Sequence, residues 1–312
     1  MLTIKTLSKR LSGVSKSSFA LSMFAIASLS LTSTSAISSA HAHDGNQALA
    51  AVVLDRDADK RARDASRRPV QTLSFFHVEP GMRVAEALPG GGWYSEILAN
   101  YLGSDGALYG INYNESMWPL FGFFTPERIE EMSASTAAFP GLVAELTDNG
   151  ITAGGFTFAG KPEELNGTLD RVLFIRALHN LARFEEQAGT LSESLKVAHD
   201  LLKDEGLVGV VQHRAPSDAD DDWAKGGAGY LKQAFVISAF EEAGFELVAQ
   251  SEINANEKDK PSDNDIVWRL PPSLNGSADD PAKRAEYEAI GESDRMTLLF
   301  AKKGFADKAM SH

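Results

Sequence analysis

The chain has 312 residues, and 43% of them are hydrophobic, which is enough for a packed core and excludes a disordered chain. Its 43 acidic residues outnumber its 30 basic ones, and the formal net charge of −13 argues against nucleic acid or an anionic lipid surface as a partner. There is no cysteine, which excludes disulfides, thiolate metal sites and a lipoprotein anchor.

The first 42 residues have the pattern of a secretory signal peptide. An apolar run at 19–31 is too short, and too diluted by serine, for a stable membrane span. Ala40 and Ala42 flank His41 in a small-x-small cleavage site. The segment has no acidic residue and four basic ones: Lys5, Lys9, Arg10 and Lys16. We predict cleavage after Ala42, which leaves a soluble periplasmic or secreted protein with no membrane span and a net charge of −17.

Three segments are predicted after the signal peptide. Residues 43–80 form a helical extension with a charged face, and it includes a short helix at 69–77. Residues 81–303 form an α/β domain of ordinary size, and residues 304–312 form a C-terminal tail.

Within the α/β domain, predicted strands alternate with predicted helices. The strands are at 84–88, 107–112, 156–159, 169–176, 207–212, 245–253 and 294–302, and the helices are at 93–102, 184–202 and 231–243. An aromatic and helical insertion at 115–140 is interpreted as a hydrophobic cap, with a substrate lid as the alternative. This alternation predicts a doubly wound, mostly parallel seven-stranded sheet with helices on both faces. Ligands on such sheets bind at the carboxyl ends of the strands.

A glycine-rich turn joins the first strand to the first helix of this domain. Pro89 is followed by Gly90, Gly91 and Gly92, and Glu86 lies just before the turn. Glycine lets the backbone approach a ligand closely, and the helix that follows directs its N-terminus at that ligand. We interpret the turn as a ligand site, and a plain strand-to-helix turn is the alternative.

Other polar residues follow the strands in the same way. The predicted sheet brings the residues that end or follow the second, fourth and fifth strands to one edge: Asn112, Arg176, His179, Asn180, His213 and Arg214. A dinucleotide site is disfavoured, because Ser95 replaces the last glycine of its motif and Asn112 stands where an acid would bind the ribose.

The run from Val84 to Gly92 resembles the first motif of class I S-adenosylmethionine-dependent methyltransferases. More narrowly, the chain resembles a group of exported bacterial proteins predicted to be such enzymes, over about residues 68–303. Further matches lie at 176–180, 213–216, 234–236 and 293–295. The resemblance implies a Rossmann-like, seven-stranded sheet whose last strand is antiparallel, with S-adenosylmethionine as the cofactor.

The resemblance also implies roles for particular residues. Glu86 and the glycines of the turn, Gly90, Gly91 and Gly92, would bind the amino acid end of the cofactor. Asn112 takes the position of the acid that binds the ribose hydroxyls in the family. An amide can still bond a hydroxyl, but without the charge that strengthens such a bond.

Methyl transfer needs an aligned nucleophile and often a base. His179 and His213 are the candidate bases, because histidine titrates near neutral pH; a hydrogen bond to a loop backbone is the alternative for each. Arg176 or Arg214 would bind an anionic substrate group, and a structural ion pair is equally compatible. Asn180 would orient His179 or bind substrate.

No metal site is predicted. The acidic run at 218–222 lacks the spacing, the glycine and the final glutamate of a calcium loop, so we interpret it as a solvated loop.

Three hypotheses for function follow. The favoured one is an S-adenosylmethionine-dependent methyltransferase that acts on a small molecule outside the cytoplasm. The second is an exported, non-catalytic small-molecule-binding protein on the same fold. The third is a metal-assisted hydrolase that uses His179, His213 and carboxylates.

Overall fold

The structure is a computed structural model that describes residues 45–305. The predicted signal peptide, and all but the first two residues of the predicted C-terminal tail, lie outside the described residues. Within residues 45–305, no helix combines the length and the apolar character needed to cross a membrane.

Seven strands form one sheet: β1 Arg83–Ala87, β2 Ala107–Asn112, β3 Thr152–Thr157, β4 Leu169–Ile175, β5 Leu202–His213, β6 Phe245–Ser251 and β7 Arg295–Lys302. Their spatial order is β3-β2-β1-β4-β5-β7-β6. In this order the first five strands, β3, β2, β1, β4 and β5, are parallel to their neighbours, whereas β7 is antiparallel to both β5 and β6. The sheet is therefore mixed, and both the count of seven and the antiparallel last strand are confirmed.

The helices are α1 45–55, α2 Ala58–Arg61, α3 Asp64–Arg67, α4 Pro69–Phe75, α5 Trp93–Leu102, α6 Pro126–Leu146, α7 Leu178–Arg183, α8 Glu185–Ala188, α9 Thr190–Leu201, α10 Gln233–Glu242 and α11 Pro281–Ile290. Short 3₁₀ helices cover Glu115–Phe121, Glu163–Leu165 and Val267–Arg269.

Two hydrophobic clusters lie on the two faces of the sheet. Helices α1, α4, α5 and α6 supply one cluster, with Leu98 and Phe139 among its buried residues. Helices α7, α9 and α10 supply the other, with Leu195 and Phe240. Central strands covered on both faces are mostly apolar, as in the VLFI end of β4, which follows the charged pair Asp170 and Arg171. The predicted doubly wound arrangement is therefore confirmed.

Several predicted boundaries are wrong, for local reasons. β3 begins at Thr152, earlier than predicted, because Gly154 and Gly155 conceal it in the sequence. A Cβ on Gly155 would overlap the carbonyl oxygen of Thr136, so the glycine lets α6 lie directly on the strand. The helix predicted at 184–202 is broken at Gly189, which has a φ of 62°. Helices α7 and α11 had not been predicted.

The strand order defines where a ligand can bind. From β1 the chain continues to β2 and β3 on one side, and β4 returns to the other side of β1. The connections beyond β1 and β4 therefore diverge and leave a crevice at the carboxyl ends of these strands. The glycine turn follows β1, and Arg176 follows β4.

Candidate functional site

The turn after β1 has an unusual backbone. Leu88, Gly90 and Gly92 have φ values of 55°, 57° and 78°. Glycine adopts this left-handed region freely, but for leucine it costs about 1–3 kcal/mol. A hydrogen bond of 2.7 Å from the Leu88 N–H to the Ile111 carbonyl holds the strained residue against β2. Such strain concentrates at ligand sites, which agrees with the interpretation of this turn.

A cavity of about 530 Å³ opens beside this turn, and we call it the glycine-loop cavity. Its walls include Gly90, Gly91 and Asn112. A Cβ on Gly90 or Gly91 would meet no atom within 4 Å, so both glycines border open space. Gly92 instead lies against Leu142 and Leu146 and does not line the cavity. The volume is in the range of small-molecule sites.

Asn112 already makes two local hydrogen bonds. Its Oδ1 accepts from the Tyr113 N–H at 2.8 Å, and its Nδ2 donates to Ser135 Oγ at 3.2 Å. An amide has two N–H donors and two lone pairs, so one of each is left for a ligand hydroxyl.

Other side chains that line this cavity were not among the predicted site residues. Arg128 and Glu131 of α6 line it and pair with each other at 2.6 Å. Trp118 also lines it, and its buried Nε1 has no hydrogen-bond partner among the described residues. The helical insertion was predicted, but the helix face that meets the cavity depends on how α6 crosses β2 and β3. Trp118 packs in the core as well, so it is both cap and cavity wall.

Glu86 lies outside the glycine-loop cavity. Its carboxyl group is buried, and Ser95 Oγ donates a hydrogen bond of 2.6 Å to its Oε2. Burial raises the pKa of Glu86 to about 7, although the Ser95 hydrogen bond and the charges of Arg176 and Arg67 oppose the rise. Near neutral pH this side chain is therefore partly protonated.

Four arginines surround Glu292 at the neighbouring part of the same sheet edge, and we call them the arginine cluster: Arg63, Arg67, Arg176 and Arg295. Glu292 Oε1 lies 2.7 Å from Arg63 Nε and 3.6 Å from Arg67 Nε. Its Oε2 accepts from Arg295 Nη1 at 2.8 Å. The charge of Arg176 also acts on Glu292. Cationic side chains from three separate parts of the chain thus act on one carboxylate, and those of Arg63, Arg67 and Arg295 contact it.

The two candidate bases lie beside each other. The ring centroids of His179 and His213 are 5.4 Å apart. His213 Nδ1 lies 2.6 Å from Ser293 Oγ, and His179 Nδ1 lies 3.4 Å from Gln212 Oε1. Burial lowers the pKa of His179 to about 4 and lowers the pKa of His213 well below its usual value. Both imidazoles are therefore neutral at pH 7 and have a nitrogen able to accept a proton.

The two remaining predicted site residues, Asn180 and Arg214, lie in different places. Asn180 hydrogen-bonds the Tyr113 hydroxyl, and Tyr113 lines the glycine-loop cavity. Arg214 does not line the glycine-loop cavity; it lines a different groove. It contacts Glu252 at 2.7 Å and Asp294 at 2.8 Å, so the structure gives it an ion-pair position.

Residues 45–305 contain no group of three or more histidine, aspartate or glutamate side chains placed to hold a metal ion. In the acidic loop, Asp221 pairs with Lys232 at 2.6 Å and Asp222 with Lys225 at 2.9 Å. The metal-assisted hydrolase hypothesis therefore gains no support from this part of the chain.

The chain matches no family model, and no curated protein is significantly similar to it. Solved structures similar to it include a SAM-dependent methyltransferase from Aquifex aeolicus, with 16% identity, a TM-score of 0.42, and coverage of 66% of this chain and 93% of that one. A second is a putative sarcosine dimethylglycine methyltransferase from Galdieria sulphuraria, with 14% identity and a TM-score of 0.45; the match covers 80% of this chain and 88% of that one. A third is the 1,6-didemethyltoxoflavin-N1-methyltransferase of Burkholderia thailandensis, with bound S-adenosylhomocysteine. It has 11% identity and a TM-score of 0.40, and the match covers 88% of this chain and 93% of that one. Identities and TM-scores this low identify neither a reaction nor a substrate.

Proposed function

We propose that this protein is an S-adenosylmethionine-dependent methyltransferase that acts on a small molecule outside the cytoplasm. The observation that carries the proposal is the glycine-loop cavity, in which two glycines of a strained turn border open space at the carboxyl ends of β1 and β2. The extracytoplasmic location rests on the signal-peptide pattern alone.

The residues around the cavity fit the cofactor. Gly90 and Gly91 leave room for a ligand against the backbone, and a side chain there would fill that room. Asn112 has one donor and one acceptor left for the ribose hydroxyls. Glu131, a carboxylate on the same cavity wall, pairs with Arg128, so the cavity wall carries no net charge from this pair.

S-adenosylmethionine would supply a methyl group on a positively charged sulfur, which a nucleophile attacks in line. The protein's part is to hold the nucleophile and to accept its proton. The neutral rings of His179 and His213 would accept that proton, and Asn180 connects them to the cavity because it bonds Tyr113 and immediately follows His179. Arg176 would position the substrate.

Calorimetric titration of the mature protein with S-adenosylmethionine and S-adenosylhomocysteine tests the proposal. We expect saturable binding of both ligands at one site per chain. Absence of heat for both, in protein whose fold is confirmed by circular dichroism, would contradict the methyltransferase function.

One observation favours the second hypothesis, a non-catalytic binding protein. Asn112 lacks the carboxylate of the family and already bonds Tyr113 and Ser135. A binding protein would retain a small molecule in the glycine-loop cavity and release no S-adenosylhomocysteine. Mass spectrometry of ligand extracted from the purified protein, together with an assay for that product, distinguishes the two functions.

A further inference from the structure

The arginine cluster lies where the N-terminal helices meet the carboxyl edge of the sheet. Arg63 immediately precedes α3 and Arg67 ends it. Arg176 follows β4 and Arg295 begins β7. Arg295 Nη2 donates to the Ser66 carbonyl at 2.6 Å, which joins β7 to α3. The cluster is therefore assembled from segments far apart in the sequence.

These arginines carry more positive charge than their neighbours neutralise. Burial alone would raise the pKa of Glu292, but the charges of Arg295, Arg67 and Arg63 lower it, so Glu292 is ionised. Glu86 is partly protonated near pH 7 and adds at most one further negative charge. Four guanidinium groups thus face fewer than two full carboxylate charges.

Other acids of the surrounding segments are engaged elsewhere. Asp64 pairs with Arg56, Asp294 with Arg214, and Asp259 with Arg269. An uncompensated charge away from water is costly, so an excess of positive charge here favours the binding of an anion.

Buried donors of the cluster also lack acceptors. Within residues 45–305, Arg67 Nη1, Arg176 Nε and Arg295 Nε are buried without a hydrogen-bond partner. Arg67 and Arg295 are only 2% and 3% exposed, so water does not satisfy these groups from outside. A buried donor without an acceptor costs about 1–3 kcal/mol, and more when it is charged.

The backbone at Arg176 gives an independent indication. Its φ of 60° lies in the left-handed region, and its N–H donates to the Val211 carbonyl at 2.6 Å. The conformation costs about 1–3 kcal/mol for a residue with a side chain, and such residues concentrate at binding sites.

We propose that the arginine cluster binds an anionic oxygen group of the substrate, a carboxylate or a phosphate. Arg67, Arg176 and Arg295 donate to its oxygens, and Glu292 holds the guanidinium groups in position. Arg63 gives the cluster contact with solvent, because its side chain is 28% exposed. Identifying the ligand as the methyl acceptor rests on the proposed function, whereas anion binding itself does not require S-adenosylmethionine.

The neighbouring histidines agree with this placement. His213 pairs with Arg295 in the β5–β7 register and lies next to His179. Burial, His179, Arg176 and Arg295 lower the pKa of His213. An anion bound to these arginines offsets their charge, and the histidines become better proton acceptors when the substrate is present.

The test is thermal unfolding of the mature protein with millimolar sodium phosphate, acetate or oxalate, compared with chloride of equal ionic strength. We expect saturable stabilisation by at least one of these anions. A larger effect of phosphate identifies a phosphate ligand, and a larger effect of acetate or oxalate identifies a carboxylate; either supports the proposal. No stabilisation beyond that of chloride would overturn it.

Substitution separates a binding role from a structural one. Arg176→Met removes one unpartnered cation, so we expect anion affinity to fall about tenfold or more, while the anion-free protein keeps or raises its melting temperature. Arg67→Met is the second variant, and Arg284→Met, on the exposed face of α11, is the control. Anion affinity unchanged in both cluster variants would overturn the proposal. Failure of S-adenosylmethionine to bind while anion binding persists would contradict the proposed function alone.

Discussion

The glycine-loop cavity and the arginine cluster lie on one edge of one sheet, yet they have opposite electrostatic character. The cavity is open, and its one charged pair, Arg128 with Glu131, is exposed. The cluster is buried and has excess positive charge around Glu292. An open site with few charges suits a ligand bound largely by shape and backbone contacts, whereas buried cations suit a small anion. The proposed cofactor site and the proposed anion site are therefore two subsites of different chemistry.

The largest effect is expected when a side chain fills the glycine-loop cavity and leaves the arginine cluster unchanged. Gly91 has an ordinary φ and faces open space, so Gly91→Leu fills the cavity without backbone strain. We expect affinity for S-adenosylmethionine to fall at least about 100-fold, with melting temperature and phosphate binding unchanged. Calorimetric titration measures this effect. Gly141→Leu, at an exposed position on α6 that also has free space, is the control. Unchanged affinity in Gly91→Leu would show that the cofactor binds elsewhere.

The next prediction concerns Glu86, which is buried beside Ser95 outside the glycine-loop cavity. Its pKa in the folded protein, about 7, exceeds the usual value of 4.5, so the protonated form favours folding. This contribution is complete below pH 4.5 and is lost as the pH rises to about 7. Glu86→Gln imitates the protonated form. We expect its stability relative to wild type to rise over this window by roughly 3 kcal/mol at most. Urea unfolding at pH 4.5, 6 and 8 measures it, and a flat difference would refute the pKa shift.

A paired arginine should behave differently from an unpaired one. Arg214 is held by Glu252 and Asp294 at 2.7 and 2.8 Å, in contrast to Arg176. Arg214→Met leaves both carboxylates without this partner, so we expect a loss of about 1–2 kcal/mol of stability. Anion and cofactor affinities should not change, because the residue lies in neither subsite. Weaker phosphate binding in this variant would remove the distinction between paired and unpaired arginines.

The smallest effect is expected at Trp118, whose indole N–H is a buried donor on the cavity wall. Trp118→Phe removes the donor and keeps an aromatic ring in the cluster with Tyr113 and Phe121. We expect cofactor affinity to fall a few-fold, about 1 kcal/mol, with stability almost unchanged. Calorimetric titration detects the change. Equal affinities would show that the indole N–H does not contact the ligand.

Hydrophobic periodicity, together with the glycines and prolines that end helices and strands, predicted most of the architecture. Strands with an apolar run such as 172–175, followed by amphipathic stretches, predict a doubly wound sheet because a buried parallel strand needs apolar side chains on both faces. Elements without a strong hydrophobic pattern were predicted with wrong bounds or not predicted at all. β3 is short and glycine-rich, and α11 has no buried residue, so neither has a strong pattern.

At the candidate site, the sequence alone indicated the strand-end residues. It predicted the glycine turn, Asn112 and the neighbouring histidines, because carboxyl ends of parallel strands share one edge. Tertiary structure decided what each group faces. Burial and a hydrogen bond from Ser95 place Glu86 away from the cavity, while two carboxylates tie Arg214 into an ion pair.

The arginine cluster was accessible only from the tertiary structure. Arg63 and Arg67 lie in a stretch whose charges predicted a solvated helix face, and Arg295 follows them by more than 220 residues. Whether an arginine is paired depends on which carboxylates are within reach after folding, and on how much water remains. The sequence by itself determined the fold class and the edge where ligands bind. The packing of α3 against the start of β7 decided which charges at that edge remain uncompensated.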